Sequence, residues 1–85
     1  MKIDGSFQGE FRSLLFTEYK DKSGNLAKSY KLGVELSDSD LGTVPCVDLT
    51  EQIAKLGIKK GSTCRFYFEY NTDYNWFRVM SLDKI

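Results

Sequence analysis

The chain has no histidine, one proline, two cysteines, a single tryptophan and no excess of either charge. Each shortage excludes something. Without histidine, acid–base catalysis would fall to Asp, Glu, Lys or Tyr, and the strand pattern converges no pair of carboxylates in an apolar pocket. Cys46 and Cys64 form no CxxC and supply too few soft ligands for structural zinc. Both fall in strand-like segments that suit a small buried hydrophobe, so reduced core thiols are expected rather than a disulfide. No stretch matches GxSxG, GxGxxG or a P-loop; Gly57-Ile58-Lys59-Lys60-Gly61-Ser62 is a turn with a basic flank. Asp38-Ser39-Asp40 resembles part of a calcium loop but lacks the central Gly and terminal Glu at EF-hand spacing, and reads as a solvated acidic loop. The expectation is a protein that is not an enzyme and carries no cofactor or metal.

Twelve basic residues balance twelve acidic ones. The whole molecule therefore lacks the positive field of a duplex-coating protein, and any nucleic-acid site must be a local patch. No apolar run approaches the roughly 18 to 20 residues that cross a bilayer, and the opening MKIDGSFQGEFRS has no signal-like apolar stretch. A cytoplasmic location without a membrane partner is expected. At 85 residues, with 41% hydrophobic and 28% charged residues, the chain has the profile of a single folded domain, 1–85, around one core.

Aromatic residues are abundant and unevenly placed. Seven of them, Phe66, Tyr67, Phe68, Tyr70, Tyr74, Trp76 and Phe77, crowd the segment STCRFYFEYNTDYNWFRVMSLDKI at Ser62 to Ile85. Two strands fit it, Cys64 to Tyr70 and Trp76 to Leu82, joined by the loop residues Asn71 to Asn75. With period two, Cys64, Phe66, Phe68 and Tyr70 share one face with Phe77 and Val79 of the second arm. The other face mixes Arg65, Tyr67, Trp76, Arg78 and Met80. The first is core; the second is the candidate for a ligand.

Upstream, Met1 to Ser6 is polar apart from Ile3 and reads as an edge extension or loose segment. Phe7 to Tyr19 is a long strand with Phe7, Phe11, Leu15 and Tyr19 on one face and Leu14 and Phe16 on the other. Gly9 inside it implies a bend that lets one strand serve two sheets. Lys20 to Asn25 is a turn with Gly24 available for positive φ. Leu26 to Leu36 alternates cleanly, with Tyr30, Leu32, Val34 and Leu36 against Ser29, Lys31, Gly33 and Glu35. Val44 to Val47, after a polar loop, is a short third strand that Pro45 places at an edge or at its own start.

One helix signal follows, Leu49 to Leu56, with Asp48 as N-cap, Glu51 completing a capping box, and Gly57 ending it ahead of Ile58. The order strand, strand, strand, short helix, strand, strand is that of a mainly β, five-stranded OB-fold-like Greek-key barrel with its helix between strands 3 and 4. A β-grasp domain would need a longer, more amphipathic helix, and an SH3-like barrel would have none of this length here.

On such a barrel, the strand 2–3 face and the loops joining strands 1–2 and 4–5 bind oligonucleotides. Single strands are held by bases stacking on aromatic rings while Lys and Arg follow the phosphates. Those residue types are Arg12, Phe16 and Tyr19 on the first strand; Lys28, Tyr30 and Lys31 on the second; and Arg65, Tyr67, Tyr74, Trp76 and Arg78 on the last hairpin. Tyr30, on the face of Leu32, Val34 and Leu36, suits the core or core rim better than a platform. Tyr67 and Trp76 equally suit covering the barrel's open end, and Arg65 and Arg78 could pair with Glu69 or Glu10 across strands.

These residues also carry a resemblance. Ser23-Gly24-Asn25-Leu26-Ala27-Lys28-Ser29-Tyr30, Ile58 to Phe66 and the terminal strand Phe77 to Leu82 are similar in order and size to the small OB-fold single-stranded-DNA-binding proteins of phages and mobile elements, of the filamentous-phage gene V protein kind. The resemblance covers about two thirds of the chain. It implies a homodimer that coats single strands cooperatively, alongside other replication proteins. The competing reading is a protein-interaction or assembly module that buries the same aromatic face, with Tyr67, Trp76 and Met80 at its centre. Cations alone along one groove favour the first; carboxylates among them favour the second.

Overall fold

The computed structural model describes residues 1–36 and 41–85. Its elements are β1 (Lys2–Lys20), β2 (Leu26–Glu35), β3 (Leu41–Cys46), α1 (Thr50–Leu56), β4 (Thr63–Asn71) and β5 (Trp76–Lys84). The strands close into a barrel in the order β1-β2-β3-β5-β4, with β3 and β5 parallel and every other pair antiparallel. This is the expected OB-fold-like Greek-key barrel, with its helix between β3 and β4. No helix among the described residues is long and apolar enough to cross a membrane.

The long first strand closes the ring. Lys2–Glu10 pairs with β4, and Glu10–Lys20 pairs with β2. Gly9 sits at the junction, where an added Cβ would lie 2.9 Å from the backbone carbonyl of Glu35. Only glycine lets the two backbones come so close at this corner. The segment before Phe7, read from sequence as an edge extension or loose, is instead paired strand, with Ile3 opposite Tyr70 and Gly5 opposite Phe68.

A register shift between Phe11 and Ser13 makes Arg12 the extra residue of a bulge. Its effect on side-chain direction is large, because one inserted residue inverts the period-two pattern. Phe11 is buried and Leu14 packs against the core, whereas Leu15 and Tyr19 are exposed. The expected grouping of Phe7, Phe11, Leu15 and Tyr19 on one face therefore holds only as far as Phe11. A second shift, opposite Tyr67/Phe68, leaves Met80 as the extra residue of β5. It lets Val79 and Leu82, three positions apart, both enter the core.

The core is one cluster in which Leu32, Leu49, Cys64, Phe66 and Val79 are fully buried. Phe7, Phe66, Phe68 and Phe77 form a chain of tilted rings with centroids 4.9 to 6.3 Å apart along its β1–β4–β5 wall. Both cysteines are free and buried, as expected. Burial pushes the Cys46 thiol up to about 11 and raises that of Cys64 as well, which keeps both as inert thiols at neutral pH.

β3 starts at Leu41, three residues earlier than Val44, and pairs with β5 at Cys46↔Val79, followed by the amide of Val47, which donates to Val79 O at 3.0 Å. Pro45 precedes this contact and so interrupts no ladder to β5. The acidic loop at Asp38-Ser39-Asp40 lies outside the described residues.

The helix closes the seam beside this short contact. Its C-terminus is a Schellman motif: the Gly57 amide donates to Ala54 O, the Ile58 amide to Ile53 O, and Gly57 has φ 66°. At the other end Leu49 occupies the N-cap position and makes no side-chain cap hydrogen bond. Asp48 caps from one position earlier, taking the Thr50 amide at 3.0 Å and the Thr50 hydroxyl at 2.6 Å.

Leu49 plugs the core, and Gln52 Oε1 accepts the Leu82 amide of β5 at 3.2 Å. That bond occupies a strand donor that β3 does not reach. Gln52→Ala is expected to lower stability by about 1 to 3 kcal/mol, the cost of an unpaired partly buried amide, measured by urea denaturation. Gln52→Glu, which keeps the acceptor, should lose less. Equal stability of wild type and Gln52→Ala would show that water replaces the glutamine.

Candidate nucleic-acid interface

The β1–β2 hairpin carries the first part of the surface. Its turn is fixed by Asp21, whose Oδ1 accepts the amides of Ser23 and Asn25, with Gly24 at φ 82°. Two residues into the ladder, register sets Glu18 opposite Lys28 and Phe16 opposite Tyr30. The two rings lie 6.0 Å apart, and Lys28 Nζ stands 5.0 Å from the Phe16 centroid. Phe16 is 56% exposed. A cation on a solvent-facing ring keeps both groups available to a ligand, because this contact is worth only about 0.5 to 1 kcal/mol at the surface.

Tyr30 is half-buried and packs against the core. The hydroxyl donates to Asp48 Oδ2 at 3.1 Å. Tyr19, Lys28, Tyr30, Asp48 and Arg78 line one groove of about 330 Å³, at the small end of the range for ligand sites, about 300 to 1,000 Å³. The Thr50 hydroxyl and then its amide hold the Asp48 carboxyl below its usual range, with smaller help from Tyr30 and the charge of Lys28. Partial burial, and then the hydrogen bond and charge of Asp48, push the Tyr30 phenol above its ordinary value. At neutral pH the groove thus presents an ionised carboxylate and a protonated phenol.

The last hairpin carries the second part. Its 72–75 turn is shaped by Asn71 Oδ1, which accepts the amides of Asp73 and Tyr74, and by Asn75 at φ 50°. The start of β1 ties it down through the Thr72 amide, which donates to Met1 O at 2.9 Å. Tyr74 at its tip is 81% exposed. Lys2, Glu69, Asn71, Tyr74 and Trp76 line a second, shallower groove of about 310 Å³.

Arg78 joins the two. It lines the first groove, and its guanidinium carbon lies 4.5 Å from the Trp76 ring centroid. Although Arg78 is in register with Glu69, the Glu69 carboxylate is 3.6 Å from Lys2 Nζ. Phe16, Tyr19, Lys28, Tyr30, Arg78, Trp76 and Tyr74 form one aromatic and cationic track across β1, β2 and β5.

The remaining sequence candidates lie elsewhere. Arg12, at the bulge, ion-pairs with Glu35 and, at 3.4 Å, with Glu10. It lines a separate hollow with Gly33, Val34, Gly42 and Thr43. Lys31 is exposed opposite Leu15 and Pro45 and lines neither groove of the track. Arg65 donates to Ser6 Oγ at 3.3 Å, and Tyr67, 37% exposed, stands opposite Ser6 and Ser81. Arg65 sits toward the start of β4 and Tyr67 at its middle.

Sequence reasoning missed Lys2, Glu69 and Asp48 as groove residues, while Asn71 begins the loop it singled out between the last two strands. A signal for Asp48 exists in the register: Tyr30 pairs with Cys46, and continuing that antiparallel ladder by two puts Asp48 across from Lys28. Among the described residues no group of three or more His, Cys, Asp or Glu converges to hold a metal ion. No family model matches the chain, and no curated protein or solved structure matches it.

Proposed function

We propose that this chain is a single-stranded nucleic-acid-binding module, with DNA as its ligand, of the kind used by phages and mobile elements. One observation carries the reading: the Arg78 guanidinium stacked on Trp76 links two grooves into a single path. Bases can stack on Phe16, Tyr30, Trp76 and Tyr74 while Lys28 and Arg78 meet the phosphates between them. Ring contacts contribute about 1 to 3 kcal/mol per base and are tolerant of sequence. The path runs beside the β1–β2 and β4–β5 loops, where OB-folds bind oligonucleotides. Homodimeric assembly on the strand belongs to the same reading.

Labelled oligo-dT titrated by fluorescence anisotropy tests it, with the emission of Trp76 followed in parallel. Saturable binding with quenching is expected. With Lys28 and Arg78 meeting phosphates, and Lys2 of the second groove paired with Glu69, the slope of log K against log salt should be about −1.4, from about −0.7 per phosphate on a single strand. Lys28→Ala should reduce that slope by about 0.7. Absence of binding even at low salt would overturn the proposal.

A second reading has its own observation. Asp48 lies in the first groove and Glu69 in the second, so carboxylates are interleaved with the cations. A protein partner tolerates this mixture better than a polyanion does, and Trp, Tyr and Arg are the residues that dominate interface cores. Failure to bind oligonucleotide, together with concentration-dependent mass by light scattering, would favour it.

A further inference from the structure

Asn71, in the second groove, has half of its side-chain bonding unused. Its Oδ1 accepts the amides of Asp73 at 3.0 Å and Tyr74 at 3.4 Å. Backbone amides only donate, so these two bonds fix which way round the side chain lies, with oxygen toward the loop and Nδ2 turned away from it. The residue is half-buried, and among the described residues the two N–H donors of Nδ2 make no hydrogen bond. Register places this donor between the groups a base would use. Asn71 stands directly opposite Trp76 of β5 and, on its other side, directly opposite Lys2 of β1, with Glu69 two residues back on the same face of β4. Such opposed pairs hold their Cβ atoms about 4.5 to 5.5 Å apart. Tyr74 completes the lining. Lys2 Nζ and the Glu69 carboxylate face each other at 3.6 Å, which leaves Asn71 as the uncommitted neutral donor beside the indole.

We infer, resting on the nucleic-acid reading above, that Asn71 contacts the base stacked at Trp76, donating from Nδ2 to a carbonyl oxygen, and that this gives the second groove a preference for thymine over adenine. A free asparagine reads adenine through its oxygen and nitrogen together. Here the oxygen belongs to the loop, so that mode is closed and the side chain reads acceptors alone. Thymine carries a carbonyl on either side of its N3–H, and its Watson–Crick edge meets Nδ2 with an acceptor in both orientations. Adenine has no carbonyl. Its amino group lies on both its Watson–Crick and its Hoogsteen edge, and a donor set against a donor leaves both unpaired.

The test titrates labelled oligo-dT, oligo-dA and an oligonucleotide in which difluorotoluene replaces thymine throughout. Difluorotoluene has the shape of thymine with fluorine in place of each carbonyl oxygen, so it keeps the stacking and the phosphates while losing the acceptors. Oligo-dT is expected to bind about threefold to tenfold more tightly than either, the scale of one net hydrogen bond. Asn71→Asp keeps an oxygen for the Asp73 and Tyr74 amides, so the loop should persist, and it replaces the Nδ2 donor with a second acceptor. This variant should bind all three more weakly, because a negative charge enters the path, and its preference for oligo-dT should fall to about twofold or less. If urea denaturation shows the variant unfolded, the comparison of thymine with difluorotoluene on wild type decides alone. Equal binding of those two by wild type, or a thymine preference undiminished in Asn71→Asp, would overturn base reading by Asn71 while leaving strand binding intact. Absence of binding to every oligonucleotide would overturn both.

Discussion

Phe66→Ala is expected to lower the stability of this domain by about 3 to 5 kcal/mol. The ring is fully buried and sits 5.2 Å from Phe7, on the wall where the N-terminal half of β1 meets β4. Truncation removes the transfer energy of the ring and leaves a cavity that the closed barrel has little freedom to fill. Total stability for a chain of this size lies near the low end of about 5 to 15 kcal/mol, because a small domain buries only about 60% of its unfolded surface. Much of the folded population should therefore be lost. Urea denaturation would show a lower midpoint at an unchanged slope if the variant still unfolds in two states. A loss below about 1 kcal/mol would mean that the neighbours collapse into the space and that the wall is more plastic than its ring packing implies.

The architecture that depends on this wall was readable from the sequence for identifiable reasons. Alternation in Leu26 to Leu36 and in the last hairpin has an inward and an outward set, and the structure buries Leu32, Val34, Cys64, Phe66 and Val79. Gly9, Gly24 and Gly57 mark a corner, a turn and a helix end because each sits where a side chain would clash or φ is positive. The misplaced side chains trace to the two bulges. A bulge leaves no mark in local hydrophobicity, so Leu15 and Tyr19 continued a periodicity that Arg12 had already broken. The Arg12 pairing with Glu35 arises from the same shift and from a strand more than twenty residues away.

The track was legible in its residue types but not in its layout. Tyr74, in a polar loop, was recognisable as exposed. That Arg78 lies on Trp76 while Glu69 goes to Lys2 depends on β1 reaching back to Lys2, a segment whose sequence is too polar to announce a strand. Asp48 was legible only as a cap. Its second role depends on β2–β3 register, which brings a tyrosine eighteen positions away within hydrogen-bonding distance.

Trp76→Ala is expected to weaken oligo-dT binding by roughly 10- to 100-fold, the alanine-substitution scale for one stacked base. The salt slope should stay the same, because no charge is lost. Arg78→Ala should lower affinity and also reduce the slope by about 0.7. The two effects should not add: the guanidinium carbon lies over the indole, 4.5 Å from the ring centroid, so removing either group is expected to loosen the other. The double variant is expected to bind more tightly than the product of the single losses implies. Arg78→Lys separates charge from planarity, since lysine keeps the charge but cannot stack as a plane. It should retain the wild-type slope with weaker binding. If Trp76→Ala instead binds within twofold of wild type, the indole serves only as a cover over β5 and the bases lie elsewhere. A strictly additive double variant would show that Arg78 and Trp76 act on separate nucleotides, which breaks the continuous path into two independent sites.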